Sequence, residues 1–202
     1  MNRVEVKAGD LSRHRDYAFG PTTPGWWGVI GFILIEATAF VLAIGAYYYL
    51  LANEARWPPR GVPPPLLWGT VFMLIGLASE LPNAWIKKRA QALDLRAVQF
   101  GLGVMTVLGI AMLVVRALEF GSLNVHWTSH AYGSIVWALL VLHTFHTLTD
   151  VADSVVLWVF TLVHTVDGRK FSDVADNAFY WHFIVWSWVV LYVVVYWTPR
   201  WL

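Results

Sequence analysis

The sequence predicts an all-α, polytopic membrane protein of five transmembrane helices. Three observations predict it. Hydrophobic residues make up 58% of the 202 residues and charged residues 13%, against roughly 45–50% and 25% in soluble domains. Five apolar stretches each reach the ~20 residues that a helix needs to cross a hydrocarbon core of ~30 Å. Lys and Arg concentrate in alternate connections between those stretches, as the rule for membrane orientation requires.

The spans fall at about 26–51, 66–86, 98–120, 131–166 and 179–198, after an amino-terminal arm of residues 1–25. The first begins at Trp26. The loop after it carries Arg56 and Pro58, Pro59, Pro63, Pro64 and Pro65, and no helix continues through so many prolines. The second span ends in Lys87, Lys88 and Arg89, and the third gives way to the polar residues 121–130. In the fourth, residues 131–148 would cross alone, but a second apolar run follows Asp150 and Asp153. No Pro or Gly lies between Ser134 and Asp167, so one long helix is expected. Pro199 closes the fifth. The polar arm lacks the apolar core of a signal peptide, so the first span is expected to act as the insertion signal.

Arg3, Lys7, Arg13 and Arg15 in the arm share a side with Lys87, Lys88, Arg89, Arg96, Arg169 and Lys170, while the other side holds Arg56, Arg60 and Arg200. The amino terminus is therefore expected inside and the carboxyl terminus outside. Trp26, Trp27, Trp85 and Trp181 are expected at inner ends, and Trp57, Trp68, Trp127, Trp197 and Trp201 at outer ends, where amphipathic rings favour the interface. A net charge of +1 gives no electrostatic case for nucleic acid, and the absence of Cys excludes disulfides, thiolate catalysis and iron–sulfur clusters.

Ionisable residues inside the spans are the functional candidates, because a charge in hydrocarbon requires a partner or water. Glu36 lies ten residues into the first span, ~15 Å from its inner end. Glu80 lies nearer the inner end of the second. Both are candidate membrane-embedded, proton-associated carboxyls; the plainer alternative is a packing hydrogen bond. Arg116 and Glu119 are three apart and share a helical face. They form either a simple ion pair or a grip on a lipid phosphate or a partner carboxylate.

His143, His146, Asp150 and Asp153 recur at spacings of three, four and three. They read as one polar stripe, which must face protein or water. With His182 as second ligand, His143 or His146 suits a b-type haem anchor; the plainer alternative is a hydrogen-bonded seam. A small transporter using Glu36 and Arg116 is a third reading.

Several motifs carry a family resemblance. Gly28, Phe32, Ile33, Glu36 and Phe40 resemble the Trp-Gly…Phe-Ile-x-Ser-Glu-x-x-x-Phe helix of subunit III of the haem-copper oxidases. Pro65-Leu66-Leu67 resembles its Pro-Leu-Leu-Asn, with Trp68 in place of Asn. Arg116-Ala117-Leu118-Glu119-Phe120 resembles Gln-Ala-x-Glu-Tyr. Tyr132-Gly133-Ser134 with His143 and His146 resembles Tyr-Gly-Ser…His-Gly-Leu-His. Tyr180-Trp181-His182-Phe183 with Tyr192, Tyr196 and Trp197 resembles the closing helix. The sequence departs from the pattern at Val185 and Ala175, where the family has acidic residues, and at Asp150 and Asp153, which replace small or apolar ones.

The resemblance covers all five spans and is to the short, five-helix bacterial form. It implies an accessory subunit in a bacterial inner (cytoplasmic) membrane, with no catalytic centre, haem or copper of its own. Haem and copper would belong to its partners, catalytic subunit I and copper-bearing subunit II. Phospholipid held between the helices and support of proton uptake are implied too. Glu36 then takes the place of the family's embedded glutamate, and Arg116, Glu119, His182 and Trp181 become candidates for lipid or interface contacts. A nitric-oxide-reductase-associated member of the same superfamily is the related alternative. Glu36 and the fourth-helix stripe are expected to face each other.

Overall fold

The computed structural model describes residues 18–59 and 62–202. Arg3, Lys7, Arg13, Arg15 and Arg60 lie outside the described residues. Among the described residues all regular structure is helical, and five helices are long and apolar enough to cross a membrane. The helices are α1 (Pro24–Asn53), α2 (Leu66–Gln91), α3 (Leu95–Ser122), α4 (Ala131–Val163), α5 (Gly168–Tyr192) and α6 (Thr198–Trp201). A 3-10 turn, Gly20–Thr22, leads into α1. One π turn, Val193–Trp197, joins α5 to α6.

Local chemistry sets the boundaries. Thr23 caps α1 by accepting from the Trp26 amide at 3.2 Å, with Pro24 in the first turn, where its missing N–H costs nothing. Asp94 caps α3 through the Ala97 amide, and His130 Nδ1 caps α4 through the Gly133 amide at 3.0 Å. α4 is continuous across Asp150 and Asp153. α5 starts at Gly168, capped by Asp167, earlier than the apolar run at 179 suggests. Its first turns are amphipathic: Phe171, Val174, Ala175 and Ala178 pack against Ile86, Val98, Leu102 and Leu157, while Lys170 and Asp173 pair on the outer side at 2.8 Å.

α2 packs on α3 and α5, and α3 on α4; α1 lies chiefly against α4 and α5. The central core gathers Phe72, Met112, Leu139, Trp188 and Tyr196. Close approach there depends on small residues. A Cβ on Gly109 would lie 2.5 Å from Val151 Cγ2, between α3 and α4. At Gly133 a Cβ would lie 2.3 Å from the His126 carbonyl oxygen, a backbone atom. Gly133→Ala is therefore expected to cost about 1–3 kcal/mol by prising the 126–130 loop from α4, read as a lower thermal midpoint of the purified chain. An unchanged midpoint would mean that this loop gives way freely.

Two faces emerge. On one, Trp26 stacks on Phe179 at 6.2 Å, and Lys87 and Lys170 lie over Phe179 and Phe160; this is the amino-terminal face. On the other, Arg200 donates to the Tyr196 and Pro64 carbonyls, and Asn124 to those of Val62 and Pro63. Two tryptophans depart from the interfacial placement. Trp57 is packed between Tyr47 and Tyr132, donating to the Tyr47 hydroxyl at 2.8 Å. Trp181 is 1% exposed and donates to Ser79 Oγ. Each satisfies its indole N–H inside the protein.

Candidate functional site

The four polar residues of α4 do not form one stripe against one partner. At 100° per residue they spread over a fan of roughly 80°, and the bundle divides the fan between two neighbours. His143 points to α3 and α5. His146, Asp150 and Asp153 line a lateral cleft between α1, α4 and α5.

The first group is buried. Arg116 is 1% exposed, and its guanidinium lies 3.8 Å from the centres of both Phe72 and Trp188. Nη1 donates to Glu119 Oε2 at 2.5 Å, and the Tyr196 hydroxyl donates to Glu119 Oε1. Nη2 lies 3.1 Å from His143 Nδ1, and His143 Nε2 lies 3.0 Å from the Ile184 carbonyl. A guanidinium only donates and a carbonyl only accepts, so His143 is neutral with its proton on Nε2. Both of its nitrogens are engaged. Of the two readings of Arg116, the geometry has the simple ion pair with Glu119, inside the bundle, with Nε left without a hydrogen-bond partner among the described residues.

The second group closes the deep end of the cleft. Glu36 Oε2 accepts from the Tyr180 hydroxyl at 2.5 Å, and Oε1 lies 3.1 Å from His146 Nε2. His146 Nδ1 donates to the Leu142 carbonyl at 2.6 Å. That bond fixes Nδ1 as the donor, so a single proton lies between Glu36 Oε1 and His146 Nε2, whichever atom carries it. Towards the amino-terminal face, the Asn177 amide nitrogen donates to Asp150 Oδ1 and Asp153 Oδ2, both at 3.0 Å. The cleft encloses about 570 Å³. Val29, Phe32 and Phe145 give it an apolar side, and Phe32 and Phe145 are exposed, so it opens sideways rather than only at its mouth.

Glu80 and His182 pair elsewhere. His182 Nδ1 lies 2.8 Å from Glu80 Oε2 on the outer surface of α2 and α5. The histidine pairing expected around a haem does not form: His143 is sealed in the core, and His182 is turned to the exterior. Among the described residues no group of three or more His, Asp and Glu is arranged to hold a metal ion.

The sequence profile described as Cytochrome c oxidase subunit III matches residues 20–200. The chain belongs to that family. It is similar to cytochrome c oxidase subunit 3 of Drosophila melanogaster, at 26% identity over 199 residues, covering 93% of this chain and 76% of the relative. It is also similar to the cyanobacterial proteins of that name from Synechocystis sp., at 26% identity with 84% and 74% covered, and Thermostichus vulcanus, at 21% with 86% and 87% covered.

Within this subunit III fold, sequence reasoning missed Tyr180 as the partner of Glu36 and Asn177 as the bridge between the two aspartates. Tyr180 lies within the motif Tyr180-Trp181-His182-Phe183, beside the histidine singled out. Asn177 carries no local signal, since its partners lie 24 and 27 residues away.

Proposed function

We propose that this chain is the non-catalytic third subunit of a respiratory haem-copper terminal oxidase in a bacterial cytoplasmic membrane, with its amino terminus inside. It packs beside a haem-bearing catalytic subunit I in a complex with a copper-bearing subunit II. The redox chemistry of oxygen reduction belongs to those partners. This chain holds phospholipid in the lateral cleft and supports proton uptake and sustained turnover.

The observation that carries the reading is the Glu36–His146–Tyr180 group at the closed end of a cleft that opens sideways into hydrocarbon. A carboxyl and an imidazole sharing one proton are a suitable element for exchanging protons with a chain of waters. The apolar flank of the cleft suits acyl chains. Basic residues on the amino-terminal face support the orientation. The half-exposed Glu80–His182 pair supports a partner on the α2–α5 surface, since a polar pair at hydrocarbon depth is costly facing lipid.

The test is purification of the tagged chain in mild detergent with mass spectrometry of what accompanies it. A polytopic subunit with haem-ligating histidines and a copper-binding partner are expected in stoichiometric amounts. A chain that purifies alone, fully folded, would overturn the reading.

A further inference from the structure

The connection between α3 and α4, residues 123–130, is held by two imidazoles that both act as acceptors. His130 Nδ1 receives the Gly133 amide at 3.0 Å, which caps α4. His126 Nδ1 lies 3.5 Å from the Thr128 amide and 2.8 Å from the Thr128 hydroxyl. A backbone amide only donates, so neither Nδ1 carries a proton, and each neutral ring has its hydrogen on Nε2. Neither histidine lines the lateral cleft.

The fit around the two rings is tight. Gly133 sits directly against the His126 carbonyl. Trp137 Nε1 donates to the Val125 carbonyl at 2.9 Å, Ser134 Oγ donates to that of Trp127 at 2.7 Å, and the His126 ring lies 6.0 Å from the Trp137 ring. The surroundings offer a second proton on His130 little compensation. From α4, Tyr132 lies 6.0 Å from its ring. Pro58, Val62, Asn124 and Val125 share a cavity of about 200 Å³ with it, and no carboxylate lines that cavity. From α6, Arg200 acts as a positive charge on Tyr132. The remaining titratable neighbour in the connection is His126.

We propose that His130 is a pH-sensitive clasp, whose protonation at Nδ1 frees residues 123–130 from α4. A doubly protonated imidazole donates from both nitrogens, so its Nδ1–H would face the Gly133 N–H with no acceptor between them. A cation at a helix amino terminus also opposes the helix dipole. Both effects act in one direction. Imidazoles change charge between about pH 5 and 8. Only the neutral ring accepts, so the clasp is closed at the alkaline end of that range and opens as the pH falls. His126 meets the same conflict at Thr128 and adds to the release. The connection lies on the face opposite the amino terminus, so in the orientation proposed above it samples the outer aqueous phase.

The test is hydrogen–deuterium exchange of the full chain, as it purifies in mild detergent, at about pH 8 and about pH 5.5. Exchange rates are divided by those of an unstructured peptide at the same pH, which removes the intrinsic pH dependence of exchange. Protection of the segment 126–134 is expected to fall about tenfold at the lower pH, while segments within α2 and α5 keep theirs. His130→Asn supplies a cap that does not titrate in this range and is expected to stay protected at both pH values. His130→Ala is expected to be poorly protected at both. Equal protection of the wild type at both pH values would overturn the inference. So would an undiminished pH response in His130→Asn, or wild-type protection at about pH 8 in His130→Ala. The wild-type and alanine results decide the matter even where the asparagine variant accumulates poorly.

Discussion

Arg116→Met is expected to prevent accumulation of the folded chain. The substitution leaves Glu119, 1% exposed, with the Tyr196 hydroxyl as its remaining side-chain donor. It also strips the Nη2 contact from His143 Nδ1 and vacates the slot between Phe72 and Trp188. Breaking a buried pair by removing one partner costs about 3–5 kcal/mol, a large share of the stability of any domain. Arg116→Lys is expected to rescue little, because an ammonium lacks the planar fork that stacks between two rings while donating to two residues. Arg116→Met with Glu119→Gln removes both charges and is expected to recover much of the loss. Yield of monodisperse protein in detergent and its thermal midpoint measure all three. Wild-type yield from Arg116→Met alone would mean that the Arg116 guanidinium does not tie α3 to its neighbours through His143, Phe72 and Trp188.

Glu36→Leu is the second large effect. It abandons the Tyr180 hydroxyl and His146 Nε2 together, and each unsatisfied buried group costs about 1–3 kcal/mol. α1 is affected most, since Glu36, Phe40 and Tyr47 are its only buried residues. Glu36→Gln is expected to be mild in stability: its carbonyl accepts from Tyr180, and its amide donates to His146 Nε2. The same variant removes the transferable proton, so it separates structure from function. Thermal midpoint should stay near wild type in Glu36→Gln while proton uptake by the assembled complex falls. If Glu36→Leu and Glu36→Gln lowered the midpoint equally, the hydrogen bonds described would not be what seats α1.

Much of this architecture is legible in the sequence because hydropathy and proline punctuation act locally. The five spans follow from run length alone, and the Arg116–Glu119 contact follows from spacing. Glu36 meeting His146 is foreshadowed by their isolation as polar residues in apolar helices. What escapes is tertiary. The Phe72–Trp188 sandwich joins residues from three helices, and no pattern within one helix announces it. The single stripe on α4 splits because angular spread within a helix says nothing about which neighbour stands at each angle. Trp181 looks interfacial by position and is core, because Ser79 on another helix supplies its acceptor. The early start of α5 was available in principle: Phe171, Val174, Ala175 and Ala178 repeat at helical spacing, but the charges among them resemble a loop.

The π turn at Val193–Trp197 gives the last transmembrane helix a phase slip. A π turn holds an extra residue over the same arc, so side chains beyond it are rotated by roughly 100° relative to an uninterrupted helix. Tyr196 within it reaches Glu119, and Arg200 after it reaches the Pro64 carbonyl. Residue-by-residue threading onto an unbulged helix would therefore misassign these positions by one. Deleting one valine from the turn would restore regular winding and swing the final anchors away from their acceptors, although composition and span length would change by a single residue.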